Sequence, residues 1–226
     1  MVWEKDLEKA KELDPSSVTC YSLSILEKTG IYRMHEQERG RFPGRRDVLI
    51  MQIMAVETFG DLGYTEIPPG WFVKDPKWRQ PRYKFTKSSD QLSFGVSSYS
   101  FVDGVQYLNR RNISNYLHDI DEGRAPICRA ARLSKDDLKR RAVVFGLKVG
   151  IDRNWFREKF GTEVCEVDVG EWESLKKLDL IEEDALGARL TQKGMLFSEE
   201  VCQRFYSKKI KRSVGIDFER FGSGTM

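Results

Sequence analysis

Residues 92–116 read LSFGVSSYSFVDGVQYLNRRNISNY, and this stretch decides how the fold is interpreted. A strand-like run changes at Gly95 into small residues around Ser97 and is followed by Tyr99. A strand that ends in glycine and small hydroxylic residues lets the backbone come close to a ligand, because no Cβ blocks the approach. The pattern therefore predicts a strand at residues 92–96 with a ligand near its end. A crowded sheet edge or bulge is the alternative interpretation of the same small residues.

The same stretch continues with the frame N-x-x-N-x-x-x-Y, which predicts the opening of a helix. Its members are Asn109, Asn112 and Tyr116. Other pieces of sequence follow in a fixed order along the chain: LEKAKELDPSSVTCYSLSI at residues 7–25, Gly63-Tyr64 before a strand, Leu133-Ser134 with Arg140-Arg141, and LTQKGMLFSEEVCQRFY at residues 190–206.

In this order, the pieces resemble the oxygen-independent coproporphyrinogen III oxidase family, whose members are radical S-adenosylmethionine (SAM) enzymes and related haem chaperones. Residues 92–116 resemble the family's last barrel strand and exit helix, and residues 190–206 resemble its final helix. The cluster motif CxxxCxxC lies near the family's N-terminus, and this sequence contains no such motif. The resemblance is thus to the C-terminal portion of these proteins.

The first hundred residues predict an α/β fold in which helices and strands alternate. Apolar spacing predicts helices at residues 2–13 and 47–62, and β-forming runs predict strands at residues 18–25, 64–67 and 92–96. Short links between alternating elements are typical of βαβ units in a parallel sheet. Three strands cannot close a barrel. The pattern therefore predicts the last part of a barrel, and the resemblance implies that it is the C-terminal part of a (β/α) radical SAM partial barrel.

The composition becomes helical and charged from Ser134, where Asp137 completes a capping-box-like start. Three helices, a hairpin that turns near residues 185–187 and a last helix capped by Thr191 predict a small winged-helix-like domain. The predicted organisation, in order along the chain, is a barrel part at 1–108, a connector at 109–133, the winged-helix-like domain at 134–212 and a flexible tail at 213–226.

Charge and composition exclude several classes of protein. The 226 residues include 38 basic and 35 acidic side chains, and the resulting net charge of +3 is no polyanion-binding signature. No apolar run reaches the ~18 residues that a membrane span requires, and no N-terminal signal is visible, so the expected compartment is the cytoplasm. Four scattered cysteines and two histidines do not predict a metal site or a cluster on this chain. No catalytic residue is predicted either.

The resemblance implies site residues that the spacing alone does not. In the family, the strand end that corresponds to Gly95, Ser97 and Tyr99 lies beside SAM, and the strand that holds Ser24 contributes another wall. These residues would pack against SAM and form hydrogen bonds to it. Arg41 and Arg45 lie in a long basic loop, where they could pair with the propionates of a tetrapyrrole, because arginine binds carboxylates through two parallel hydrogen bonds. A solvated loop is the alternative interpretation of these arginines.

The family's cofactors are SAM and a four-iron four-sulfur cluster, and the cluster is not expected on this chain alone. The implied partner is the missing N-terminal radical SAM half or a companion subunit, with a tetrapyrrole as substrate. A non-catalytic haem-binding or tetrapyrrole-binding module is the first alternative, with His35 and His118 as its histidine candidates. A winged-helix DNA-binding protein is the second. The predicted recognition helix carries two glutamates against two lysines, so no binding to DNA is expected.

Overall fold

The computed structural model describes residues 2–25, 29–77 and 89–213, and the chain divides into two compact units, Met1–Arg79 and Gln80–Met226. The described helices are α1 (Val2–Leu13), α2 (Gly30–Gln37), α3 (Arg45–Asp61), α4 (Ile113–Asp121), α5 (Lys135–Gly146), α6 (Arg153–Phe160), α7 (Val169–Lys177), α8 (Gln192–Leu196), α9 (Ser198–Arg204) and α10 (Lys208–Ser213). The described strands are β1 (Ser17–Thr19), β2 (Thr65–Glu66), β3 (Trp71–Val73), β4 (Tyr99–Val102), β5 (Val105–Asn109), β6 (Ile127–Arg132), β7 (Ile151–Asp152), β8 (Ile181–Glu183) and β9 (Gly187–Leu190).

The first unit packs α1 and α3 against a three-stranded sheet of order β1-β3-β2. Both predicted helices are confirmed in this unit, and α3 begins where the Gly44 N–H donates to the Asp47 carboxylate at 2.9 Å. Phe59 of α3 stacks on Phe72 of β3 with ring centroids 4.9 Å apart. Burial of each such side chain contributes roughly 1.5–3 kcal/mol. The core of this unit consists of Leu7, Ala55, Phe59, Tyr64 and Phe72.

The predicted parallel sheet is wrong for the strands that the structure describes. Strand β3 lies between β1 and β2 and is antiparallel to both, with Val18 opposite Phe72 and Thr65 opposite Val73. The strand predicted at residues 18–25 covers only Ser17–Thr19, and residues 20–25 form no regular element. The error has a physical cause, since β-forming side chains fix strand propensity but not the direction of the neighbouring strand.

The second unit begins with an antiparallel sheet of order β4-β5-β6. The strand predicted at residues 92–96 is wrong, because the regular strand starts only at Tyr99. Asn109 is the last residue of β5 and does not open the helix, whereas Asn112 caps α4 by accepting from the Asn115 N–H at 3.1 Å. Residues 109–133, predicted as a connector, contain α4 and the edge strand β6.

The C-terminal part of this unit consists of α5 followed by β7, α6, α7, the β8-β9 hairpin and three short helices, α8, α9 and α10. The predicted caps are confirmed: the Ser134 hydroxyl accepts from the Asp137 N–H at 3.1 Å, and the Thr191 hydroxyl accepts from the Gly194 N–H at 2.9 Å. The last predicted helix is divided at Phe197, so it is two helices rather than one. Strand β9 lies between β7 and β8 and is antiparallel to both.

A large apolar core holds these helices and the hairpin together. Its buried members come from α5, α6, α7, α9, the three strands and the segments between them, and they include Leu147, Phe156, Trp172, Leu175 and Phe205. The Trp172 indole N–H donates to Glu183 of the hairpin at 3.2 Å, so the largest buried ring also satisfies its polar atom.

The two-domain division into 1–108 and 134–212 stays a prediction.

Arg141 of α5 links the helical part to the β4-β5-β6 sheet. Its guanidinium carbon lies 4.0 Å from the ring centroid of Phe101 on β4 and 4.8 Å from that of Phe145. The side chain is 8% exposed, and burial lowers the pKa of the guanidinium to about 10. A cation held between two aromatic faces gains electrostatic attraction that offsets part of its desolvation.

Candidate functional site

The predicted ligand-binding segment forms a tight turn at residues 93–98, referred to below as the 93–98 turn. Gly95 has φ +93° and Ser97 has φ +59°. Backbone at positive φ is accessible to glycine without strain, whereas other residues enter it at a cost. These two residues bend the chain just before β4, which explains why the small-residue segment is not the end of a strand.

Two residues of the N-x-x-N-x-x-x-Y frame hold the turn in place. The Asn109 side-chain amide donates to the carbonyl oxygens of Gly95 at 3.1 Å and Ser93 at 3.4 Å. The Tyr116 hydroxyl of α4 accepts from the Gly95 N–H at 3.1 Å. Asn109 is buried, so its amide replaces solvent as the partner of both carbonyls.

Further hydrogen bonds fix the rest of the turn. The buried Ser100 hydroxyl accepts from the Ser93 N–H at 2.9 Å, and the Ser98 hydroxyl donates to the Phe94 carbonyl at 2.5 Å. The Ser97 N–H donates to the carbonyl of Arg110 at 3.0 Å. The turn is therefore tied to β4, to the end of β5 and to α4, which makes it a rigid feature of the surface.

The structure brings three of the predicted site residues together in this region. Gly95 and Ser97 lie in the 93–98 turn, and Tyr99 is the first residue of β4. Ser97 and Tyr99 are exposed. A Cβ added at Gly95 would meet only the Ser98 hydroxyl, at 3.7 Å, so open space lies beside this glycine. Open space is what a site for close backbone approach requires.

The other predicted site residues lie in the first unit. Ser24 is exposed in the segment that follows β1. Arg41 is exposed at the end of a short 3₁₀ turn and donates to the Glu38 carboxylate at 2.9 Å. Arg45 is the first residue of α3 and is also exposed. An exposed arginine that forms a local ion pair can exchange it for another carboxylate at little cost.

An ion-pair cluster anchors α4, which supplies Tyr116 to the turn. Asp119 is 6% exposed; it accepts from Arg110 at 2.8 Å and from Arg124 at 3.3 Å. The hydrogen bond from Arg110 and that from Arg124 hold the pKa of the Asp119 carboxyl below its ordinary value, against the opposing effect of burial. The cluster ties the last turn of α4 to the segments that leave β5 and enter β6.

Comparisons with known proteins relate the whole arrangement to one group. No family model matches the chain. It is 20% identical over 204 residues to the haem chaperone HemW of Bacillus subtilis, covering 89% of this chain and 54% of that protein. It is 23% identical over 225 residues to an oxygen-independent coproporphyrinogen III oxidase of Synechocystis, covering 90% of this chain and 48% of that protein.

The comparison with solved structures points to the same group of proteins. The solved structure of coproporphyrinogen III oxidase from Escherichia coli, described as a radical SAM enzyme, matches 90% of this chain with a TM-score of 0.72 at 19% identity. The chain is homologous to the coproporphyrinogen oxidase and HemW proteins. The resemblance predicted from the sequence is thereby confirmed. The chain spans about half the length of these relatives, since it covers 50% of the solved oxidase chain.

The cysteines of this chain do not fit a four-iron cluster. Across residues 2–25, 29–77 and 89–213, no three His, Cys, Asp or Glu side chains lie close enough together to hold a metal ion. Burial raises the pKa of the Cys202 thiol to about 12 and also raises that of Cys20. Cluster ligands are thiolates, and a buried thiol of raised pKa resists ionisation.

The two histidines of the chain, His35 and His118, lie in different settings. His35 is half-buried on α2, where its ring meets Phe42 edge-on with centroids 5.2 Å apart. His118 is exposed on α4, the helix that holds the 93–98 turn. Within the described part of the chain, no helix is long and apolar enough to cross a membrane.

Sequence reasoning missed the residues that build the turn. The N-x-x-N-x-x-x-Y frame contains Asn109 and Tyr116, but it predicts only that they open a helix. No pattern in the sequence assigns a role to Asp119. The available signal was polarity: a buried asparagine at a strand end is expected to satisfy backbone groups of a neighbouring loop. Which loop it satisfies depends on tertiary contacts that the frame does not encode.

Proposed function

We propose that this chain is the C-terminal portion of a coproporphyrinogen III oxidase-like radical SAM protein of tetrapyrrole metabolism, and that it is inactive alone. The observation that carries the proposal is the match of 90% of the chain to half of an oxidase of this type. The part that binds the four-iron cluster belongs, in this proposal, to the missing N-terminal half or to a companion subunit. Supporting this, the described thiols do not form a cluster site.

In the complete protein, the 93–98 turn lies beside SAM. Its chemistry there is packing and hydrogen bonding, with Gly95 keeping space open for the ligand and the exposed Ser97 and Tyr99 offering hydroxyl groups. Ser24 contributes a further hydroxyl in this proposal. The hydrogen bonds that Asn109 donates to the turn and that Tyr116 accepts from it support the role, because a binding surface that is ordered before binding loses less entropy on binding.

The proposed substrate is a tetrapyrrole whose propionates pair with Arg41 and Arg45. Arginine suits this role because its planar guanidinium forms two parallel hydrogen bonds with a carboxylate. Arg41 pairs with Glu38 in an exposed position, and such a pair contributes about 0–1 kcal/mol. A substrate carboxylate can therefore replace the glutamate without a large loss.

The part of the second unit from α5 onward acts, in this proposal, as a winged-helix-like lid or docking element and not as a DNA reader. Helix α7, in the position of a recognition helix, carries Glu171 and Glu173 against Lys176 and Lys177. Arg204 and Glu171 pair at 2.9 Å, which further removes positive charge from the surface. Binding to duplex DNA that weakens steeply with salt would contradict this role.

The test of the main proposal combines the isolated chain with its missing half. Reconstituted with iron and sulfide, the isolated chain should give no stable four-iron chromophore and no 5′-deoxyadenosine from SAM. Adding a polypeptide that contains the CxxxCxxC motif, in trans or as a fusion, should produce both. In that complex, Gly95→Leu should weaken SAM binding at least tenfold, with Gly63→Leu, an exposed glycine that also has a positive φ (+79°) and lies beside open space, as the control for backbone strain. A stoichiometric cluster and 5′-deoxyadenosine from the isolated chain would refute the proposal.

A second candidate function is a non-catalytic haem-binding or tetrapyrrole-binding module. It is favoured by the similarity to a protein named as a haem chaperone, which extends over 89% of this chain. Titration of the isolated chain with haem should then shift the Soret band. His35→Ala and His118→Ala, made separately, identify the axial ligand. An unchanged Soret band at saturating haem would exclude this candidate.

A further inference from the structure

The 93–98 turn presents a large aromatic side chain to solvent. Phe94 lies at its tip and is 79% exposed. The backbone on both sides of it is held: the Ser93 N–H, the Phe94 carbonyl and the Gly95 N–H each have a hydrogen-bond partner within the chain. A single exposed aromatic ring is ordinary on a protein surface, so its meaning depends on the exposed apolar side chains around it.

Helix α4 carries an apolar face on the same part of the unit. Ile113, Leu117 and Ile120 follow the spacing i, i+4, i+7, so they lie on one side of the helix, and all three are exposed. Tyr116, which accepts from the Gly95 N–H, joins this side of α4 to the turn. The exposed apolar side chains of this region, called the α4 face below, are Leu92, Phe94, Val96, Tyr99, Ile113, Leu117 and Ile120.

The size of the α4 face is that of an interaction surface. At roughly 150–250 Å² for each fully buried aromatic side chain, the exposed fractions of Phe94 and Tyr99 alone correspond to about 250 Å². The five aliphatic side chains add to this, which brings the sum into the range of about 300–600 Å² that is typical of the largest, and often functional, apolar patch on a soluble protein. The aliphatic and aromatic side chains of this face suit contact with an apolar protein surface.

We infer that the α4 face is a docking surface. The half of the proposed oxidase-like protein that this chain does not span packs on it, with Phe94 at the centre of the contact. The inference rests on the proposed function, since that proposal supplies the cluster-binding half. The chain spans about half the length of the relatives it matches, and in the proposed function the remaining half is the part that packs on this surface. The occupant is therefore an apolar surface of a polypeptide that carries CxxxCxxC.

Phe94 is expected to dominate the binding energy. Large aromatic side chains near the centre of an interface are the residues whose truncation costs most. The hydrogen bonds of the 93–98 turn fix the Phe94 backbone before binding, so little order has to be gained there. Truncation of Phe94 should weaken the complex at least tenfold, mostly through faster dissociation.

The first arm of the test uses photo-crosslinking in cells of the organism whose genome encodes this chain. The photoreactive residue p-benzoylphenylalanine replaces Phe94, and in a matched control it replaces Leu186, which is 81% exposed at the β8-β9 hairpin. Mass spectrometry should find Phe94-site adducts with a CxxxCxxC polypeptide, within one chain or between two, and no such adducts from the Leu186 site. Adducts only with a second copy of this chain, adducts with an unrelated protein, or no adducts from position 94 would overturn the inference.

The second arm separates this inference from the proposed function. The CxxxCxxC polypeptide identified by crosslinking, or a fusion partner that restores cluster binding, is titrated with wild-type chain, Phe94→Ser and the control Leu186→Ser. Phe94→Ser should weaken binding at least tenfold, and Leu186→Ser should not. A complex that forms through Phe94 but cleaves no SAM leaves the docking surface intact and defeats the proposed function. A SAM-cleaving complex that is indifferent to Phe94→Ser defeats the docking surface alone.

Discussion

The side-chain amide nitrogen of Asn109 lies 3.1 Å from the carbonyl oxygen of Gly95 and donates a hydrogen bond to it. This bond joins the last residue of β5 to the tip region of the 93–98 turn, and a second one from the same amide reaches Ser93 at 3.4 Å. Asn109 is thus the side chain on which the conformation of the turn depends most directly. Loss of these hydrogen bonds is expected to affect the stability of the fold and, separately, binding at the 93–98 turn.

Asn109→Ala should lower the free energy of unfolding by about 1–3 kcal/mol, because two backbone carbonyls lose their buried donor. Asn109→Asp should be more destabilising at neutral pH, since it places a negative oxygen beside the same carbonyls. Urea unfolding followed by circular dichroism measures both changes. Asn115→Ala, an exposed change on α4, is the control and should have little effect. Equal losses for the alanine changes at both positions would contradict the role of Asn109.

Acid should weaken the attachment of α4 through Asp119. Its pKa is lowered in the folded state by the hydrogen bonds from Arg110 and Arg124, so the stabilisation is fully present above the unfolded pKa of about 3.9. It is lost as the pH falls through the lower pKa of the folded state. Asp119→Asn should therefore remove part of the acid dependence of the melting temperature below about pH 4. Glu122→Gln, an exposed change at the end of α4, should leave that dependence unchanged.

Glu66 in the first unit should show the opposite dependence on pH. Burial raises the pKa of its carboxyl, although the Gly70 N–H donates to it at 2.6 Å. A raised folded pKa stabilises the fold at low pH, and this contribution is lost as the pH rises through that value. Glu66→Gln keeps an acceptor for Gly70 and removes the charge, so it should raise the melting temperature at pH 7 but not at pH 4. Glu57→Gln on the exposed side of α3 serves as the control; a lower melting temperature for Glu66→Gln at pH 7 would show that the charge is stabilising.

Two helical glycines of the second unit should respond in opposite directions to alanine. A Cβ at Gly194 would overlap the carbonyl oxygen of Leu180, whereas a Cβ at Gly170 would enter open space. Gly194→Ala should therefore cost about 1–3 kcal/mol by forcing α8 away from the hairpin. Gly170→Ala should stabilise α7 by up to about 1 kcal/mol, because alanine is the better helix former. Thermal unfolding of the two variants tests this, and a tolerated Gly194→Ala would mean that α8 is free to move.

Local signals in the sequence identified most helix boundaries of this protein. Ser134, Thr191 and Gly161 are cap residues whose side chain or positive φ acts on the adjacent turn of helix, so neighbouring residues suffice to recognise them. The Ile181–Glu183 strand and its hairpin were predicted for the same reason. The resemblance to the oxidase proteins was also available from the sequence, because ordered pieces of sequence carry it.

Strand direction and the shape of the candidate site were decided only by the tertiary structure. Residues 92–96 have the composition of a strand, yet Asn109 and Tyr116 lie 14 and 21 residues after Gly95 and hold it in a turn. In the same way, β1 and β2 are antiparallel to β3, which no pattern within them indicates. A residue's own sequence neighbourhood sets its local conformational preference, whereas hydrogen bonds from distant segments select which accessible conformation is kept.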